Sequence, residues 1–352
     1  MFPLLPYSFM FMLTLMIGSI LSISSVHWLG IWGGLELNLI GFLPVLVHQK
    51  NMLESESGVK YFIVQALGSS FLIFGSLLVY NLSYTWEIPM SLGVMGKLGL
   101  FVMISGLCMK LGIFPFHFWL PSVMAGLSWI SCMILATWQK LAPLFLMMIL
   151  FELKEYYWLV IVLCLMSGIS SLVGGWGGMN QTQVRSLLGY SSISHLGWML
   201  FAMIHGEFIM KIYFMVYVAT SICIFLSLMY LNIGMMKNLS TLKNLHFSQL
   251  SVMVMLLSLG GLPPLLGFVP KWYLISLSFN GSYSLFVFML MFGSLLSLFY
   301  YLSLFFSIFL GLKNGYMFAK VESNESILLM FMVFLNLVGG VLILFSNLFI
   351  LI

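Results

Sequence analysis

Glu36, Lys110, Lys140 and Lys271 each fall near the middle of a long apolar stretch. A charge at bilayer depth costs roughly 2.5–3.5 kcal/mol on insertion scales. Ionisable groups kept there serve proton relays, ion pathways or counter-ions, so the pattern implies a proton-handling membrane protein. Desolvation disfavours a charged amine, which can then lose and regain a proton as a neighbouring charge comes and goes. Lys97 stands early in its stretch and reads as a snorkelling residue. Glu36, in GGLELNLIGF, is the deep acid, and Lys110 is its expected partner because an unpaired buried charge is costly. Two histidines complete the set, since histidine titrates near neutrality. They are His117 in FPFHFW and His195 in SSISHLGW, the latter flanked by Ser191, Ser192 and Ser194. The competing readings are a protonated carboxyl within a helix bundle and neutral histidines donating to helix carbonyls. His27, His48, His205 and His246 lie near loops and read as solvated or interfacial.

The elements that must position these groups follow from composition. Of 352 residues, 62% are hydrophobic and 6% charged, against about 25% charged in a soluble domain. Mean hydropathy is +1.13, and the chain has no Asp. At about 20 residues per span, the chain is nearly all membrane helix, with about eleven spans. They are read at 3–24, 26–47, 58–80, 91–120, 123–150, 156–178, 186–204, 207–232, 249–280, 284–311 and 326–351. Runs such as FLIFGSLLVY do not alternate, which argues against a transmembrane β-barrel. The expected fold class is therefore all-α and polytopic.

Two spans are too long and too broken to be simple helices. The fourth contains MKLGIFPFHFWLP and the ninth SLGGLPPLLGFVPKW. Proline removes a backbone donor and clashes with the preceding turn, and glycine adds freedom. Interruptions are expected near Gly112–Pro115 and Gly260–Pro264. Such backbone is tolerated at membrane depth only where protein or a water-filled cavity satisfies it. The broken spans are five apart, which predicts two inverted five-helix repeats, as in transporters. Residues 1–150 would form the first repeat, 156–311 the second, and 326–351 an extra helix, all in one membrane domain. Loop lysines and arginine on the N-terminal side are Lys50, Lys60, Arg185, Lys237, Lys243, Lys313 and Lys320; the other side has Lys154 and Lys211. The positive-inside rule then places the N-terminus inside and the C-terminus outside.

Other chemistries find little support. Net charge is only +4, without a basic cluster for nucleic acid. Cys108, Cys132, Cys164 and Cys223 lie singly within spans and match no zinc, haem or iron–sulfur spacing. GGWGG at 174–178 lacks the lysine and strand of a phosphate loop; small residues there favour close helix contact. The opening residues show no basic n-region or cleavage site and read as a first span.

The segments HWLGIWGGLELNLIGFLPVL, VKYFIVQALGS, MKLGIFPFHFWLP, TWQKLAP, GGWGGMNQTQVRSLLGYSSISHLGWM and SLGGLPPLLGFVPKW together closely resemble one family. It is the chain 2 family of mitochondrial NADH:ubiquinone oxidoreductase, respiratory complex I. The motifs occur in the family's order over about residues 25–275. The resemblance implies an antiporter-like membrane-arm subunit of the inner mitochondrial membrane. Its proton relay would map onto Glu36, Lys110, Lys140, Lys271, His117 and His195. Neighbouring antiporter-like subunits and membrane lipids would be its partners. NADH, FMN, iron–sulfur clusters and ubiquinone would belong to other subunits, because this chain has no dinucleotide fingerprint and no cluster ligands. Two other classes remain open: a free cation/proton antiporter, which shares the broken-helix lysines, and a structural membrane subunit with vestigial charges.

Overall fold

The computed structural model describes residues 8–48, 51–84, 86, 94–152, 157–231, 246–279, 283–312, 330–331 and 333–341. Among these, regular structure is helical throughout, as lipid demands of a backbone that must satisfy its own polar groups. Seven helices of the described residues are long and apolar enough to cross a membrane. The chain divides into two compact units, Met1–Val160 and Ile161–Ile352.

The first unit holds α1 (Ser8–Ser24), α2 (Trp28–Leu46), α3 (Met52–Ser83), α4 (Val94–Leu111), α5 (Trp119–Gly126), α6 (Trp129–Ala136) and α7 (Trp138–Glu152). Helix α3 starts earlier than its sequence pattern suggests. Glu54, expected in a loop, is therefore helical and buried. Glycines set how closely these helices pack. A Cβ on Gly75 would meet the Gly99 carbonyl at 2.7 Å, and one on Gly106 the Gly68 carbonyl at 2.8 Å. Those two levels seat α3 against α4.

The second unit holds most of α8 (Tyr157–Met179), then α9 (Val184–His205), α10 (Glu207–Leu231), α11 (His246–Gly260), α12 (Phe268–Ser278) and α13 (Ser284–Leu312). Helix α9 is buried along nearly its whole length. It lies against the GGWGG segment of α8, where a Cβ on Gly174 would meet the Ser194 nitrogen at 2.6 Å. Helix α13 has two faces. Phe288, Phe292, Leu295 and Phe299 are exposed at helical spacing, an apolar stripe suited to lipid. Tyr300, Tyr301 and Leu304 are buried. Of the extra C-terminal span, residues 330–331 and 333–341 are helical, and Asn336 accepts the Leu266 amide at 3.3 Å. The rest of that span lies outside the described residues, as do Lys50, Lys154, Lys237, Lys243, Lys313, Lys320 and the side chain of His246.

Candidate functional site

Both expected interruptions are present. Helix α4 ends at Leu111 and α5 begins at Trp119; α11 ends at Gly260 and α12 begins at Phe268. The two breaks share a backbone design. Gly112 and Gly261 adopt φ of 76° and 81°, the left-handed region where glycine is favoured. The amides of Gly112 and Ile113 both reach back to the Cys108 carbonyl, and those of Gly261 and Leu262 to the Leu257 carbonyl. This is the helix-terminating pattern that satisfies late carbonyls. Each break also carries one cis X-Pro bond, at Phe114–Pro115 and Pro263–Pro264.

The remaining freed carbonyls are met differently. In the first break, Trp119 Nε1 donates to the Met109 carbonyl at 3.0 Å and Gln65 Nε2 to the Lys110 carbonyl at 3.3 Å. In the second, Lys271 Nζ donates to the Gly260 carbonyl at 3.1 Å. Both lysines thus stand at the C-terminal, negative end of a half-helix, where a cation is favoured. Lys110 belongs to the last turn of α4, whereas Lys271 reaches back from the first turn of α12.

The sequence pattern joined 123–150 into one span, but α5 ends at Gly126 and extended backbone at Leu127 and Ser128 precedes α6, and a lesser interruption follows inside the apolar stretch Trp129–Phe151. Helix α6 ends at Ala136, Thr137 is a distorted right-handed residue (φ −111°, ψ −70°) whose amide still reaches the Met133 carbonyl, and α7 resumes at Trp138. Pro143 inside α7 has no N–H to offer the Gln139 carbonyl, just past that point. Lys140 stands there. Each of the three buried lysines therefore lies within about one turn of an interruption.

In the first unit, Lys110 and Lys140 are 6% and 3% exposed and line one cavity. Asn38, Tyr61, Gln65 and Gln139 share its wall. It offers about 20 Å³ to water centres, room for one water by the usual measure of about 10–15 Å³. Gln139 Nε2 donates to Asn38 Oδ1 at 3.0 Å, and the Tyr61 hydroxyl faces Gln139 Oε1 at 3.4 Å. Two lysines thus meet a chain of neutral amides and a phenol. Sequence reasoning did not single out Asn38, Tyr61, Gln65 or Gln139; their only signal is polarity inside apolar spans.

Glu36 does not pair directly with Lys110. Ion pairs among the described residues are Lys60–Glu56 at 2.6 Å and Lys211–Glu207 at 2.7 Å, both exposed. Helix geometry explains this. Leu35, Asn38 and Leu39 line the cavity at i, i+3 and i+4, and Glu36, about 100° round from Leu35, turns aside. His117 is buried within the first break, its ring between Phe114 and Phe118, and does not line the cavity. Lys97 is exposed on α4, in keeping with snorkelling. His27 is exposed, and His48 and His205 are half-buried at helix ends.

In the second unit, His195 is 6% exposed, and its Nδ1 lies 3.0 Å from the Tyr213 hydroxyl. The ring of Tyr217 is 5.2 Å away, centroid to centroid. A cavity of about 10 Å³ to water centres opens between His195, Tyr213, Tyr217, Thr220, Ser258 and Pro270. Lys271, also 6% exposed, follows Pro270. The geometry provides titratable groups held apart by neutral hydroxyls and water-sized gaps, an arrangement that can pass protons; among the described residues no group of three His, Cys, Asp or Glu is placed to hold a metal.

Residues 25–297 match the family model of NADH:quinone oxidoreductase/Mrp antiporter membrane proteins. NADH-ubiquinone oxidoreductase chain 2 of Anopheles gambiae is 40% identical over 324 residues, covering 90% of each chain. That of Locusta migratoria is 37% identical over 306 residues, covering 87% of this chain and 86% of its own. A chain of respiratory complex I from Thermus thermophilus superposes with TM-score 0.82 at 24% identity, covering 95% of this chain and 78% of that one. The chain therefore belongs to the NADH:quinone oxidoreductase/Mrp antiporter family, in its NADH-ubiquinone oxidoreductase chain 2 branch.

Proposed function

We propose that this chain is a proton-translocating subunit in the membrane arm of mitochondrial NADH:ubiquinone oxidoreductase. It sits as a multi-pass protein in the inner mitochondrial membrane beside other antiporter-like subunits and lipid. The N-terminus faces the matrix and the C-terminus the intermembrane space. NADH oxidation, FMN and iron–sulfur electron transfer and ubiquinone reduction take place in other subunits; this chain uses the energy they deliver.

One observation carries the reading: Lys110 and Lys140, both buried, line one water-sized cavity walled by neutral amides. Two like charges so placed repel, so a proton gained by one favours release by the other. Glu36 supplies the relay's acid from outside the cavity. In the second unit Lys271 and His195 continue the relay, with the two broken helices at equivalent places of an inverted repeat. His117 serves the first break. Moving each charge against the potential costs about 2.3 kcal/mol per 100 mV, so the signal must come through the arm.

Lys140→Met tests this. Methionine is apolar, of similar length and a good helix former. The assembled enzyme should lose most coupled NADH:quinone turnover and pumping, and keep NADH oxidation by an artificial acceptor. Unchanged coupled turnover and pumping would sink the relay at this residue.

A further inference from the structure

The C-terminal helix meets the protein with its least apolar residues. Within 333–341, Asn336 and Gly340, about one turn apart, are buried, while Phe334, Leu335, Leu337 and Val341 are exposed. Lipid tails are as apolar as leucine, so apolar burial does not draw such a helix inward; close packing of small residues and polar ties do. Both are present here, and both act on the second break. A Cβ on Gly340 would collide with the Pro264 carbonyl oxygen, and one on Gly339 would meet Leu266 Cδ1 at 2.7 Å. The helix therefore lies directly on residues 264–266.

Asn336 supplies the tie. Its Oδ1 accepts the Leu266 amide at 3.3 Å, and its Nδ2 donates to Met255 Sδ at 3.1 Å. A backbone N–H can only donate, which fixes the orientation of the carboxamide. Met255 belongs to α11, and Leu266 to the connection into α12. One side chain, 2% exposed, thus holds both halves of the break. It comes from 70 residues further along the chain than Leu266.

What the tie restrains is the seat of a relay lysine. The Phe268 amide donates to the Leu265 carbonyl at 3.1 Å and the Val269 amide to the Leu266 carbonyl at 3.3 Å, so Leu265 and Leu266 anchor the start of α12. Lys271 stands in the first turn of α12 and reaches back to the Gly260 carbonyl at 3.1 Å. Gly267, next to Leu266, lines the cavity of His195. A shift of Leu266 would carry Lys271 off its carbonyl and alter the gap beside His195. Misplacing a reacting group by about 1 Å can cost roughly a hundredfold in rate.

We propose that Asn336 is a positioning residue of the proton relay: by holding the Leu266 amide and Met255 together from outside the break, it keeps Lys271 seated on the Gly260 carbonyl. The proposal rests on the relay reading above. Asn336 itself takes and gives no proton. An apolar residue in its place would leave the glycine packing of the helix and release the break.

The test uses the assembled complex in proteoliposomes, with Asn336→Leu compared with Lys271→Met and Lys140→Met. Per assembled complex, Asn336→Leu should lose about tenfold in kcat for coupled turnover. The quinone KM and NADH oxidation by an artificial acceptor should hold. A structure of the variant complex should show Lys271 Nζ beyond about 3.5 Å from the Gly260 carbonyl, outside hydrogen-bond range. Should Asn336→Leu assemble poorly, Asn336→Ala adds no bulk and should show the same changes. Asn336 variants within about twofold of wild type per complex, beside a slowed Lys271→Met enzyme, would overturn the brace and spare the relay, even if their thermal midpoint fell. A slowed variant with Lys271 still on its carbonyl would overturn it too. If Lys271→Met is unchanged, the brace falls with that lysine, and Lys140→Met alone decides the relay.

Discussion

Lys271 Nζ and the Gly260 carbonyl, 3.1 Å apart, tie the two halves of the second broken helix to each other. The contact does two jobs: it gives a freed carbonyl a donor, and it sets a buried amine at the negative end of a half-helix.

Removing that donor should be felt in stability as well as in turnover. Lys271→Met leaves the carbonyl unpartnered, at a cost of about 1–3 kcal/mol. Lys271→Gln keeps a neutral donor and should cost less. The thermal inactivation midpoint of the assembled enzyme should fall in the order wild type, Gln, Met. Equal midpoints would mean that the contact does not hold the break.

Gly267 opens the second half-helix so close to the first that a Cβ there would collide with the Ser258 carbonyl. Gly267→Ala should destabilise by about 1–3 kcal/mol through overpacking. Gly33 has nothing within 4 Å of its would-be Cβ, so Gly33→Ala should be neutral or mildly stabilising, as alanine is the better helix former. The amount of assembled complex at raised temperature checks the pair, and equal yields would contradict it.

Glu36 forms no ion pair with Lys110 among the described residues, so Glu36→Gln should leave assembly intact. Losing its charge should slow coupled turnover by about tenfold. Gln139→Leu, which removes the bonds to Asn38 and Tyr61, should slow turnover and also reduce assembly, because it strands buried polar partners. A Glu36→Gln enzyme that pumps like wild type would remove Glu36 from the relay.

Thr182 is exposed between α8 and α9, and Arg185 follows it on the side assigned to the matrix. A cysteine at Thr182 should react with a membrane-impermeant maleimide in inside-out vesicles and be protected in intact mitoplasts. Native Cys108, Cys132 and Cys164 are buried and should stay silent. The reverse labelling pattern would invert the topology.

How much of this the sequence disclosed depends on the kind of signal. Gly112–Pro115 and Gly260–Pro264 announce their breaks because glycine and proline act on the backbone locally. The burial of Lys110, Lys140 and Lys271 is legible because a charge in an apolar run has few explanations. Thr137 is harder to see, since it lies in a stretch that otherwise reads as helix. The direction of Glu36 depends on which face of α2 meets the cavity, and that is decided by packing. Tyr213 and Tyr217 on α10 meet His195 of α9 only in the fold. In sequence they are indistinguishable from the aromatic filler around them.

The two breaks are fastened unequally, and this has a mechanical meaning. Trp119 and Gln65 clamp the first with neutral donors, whose strength does not change with local charge. Lys271 clamps the second with an amine, whose bond to a carbonyl is roughly twice as strong when charged as when neutral. The first joint behaves as a fixed strut. The second is a latch whose tension follows the proton it carries.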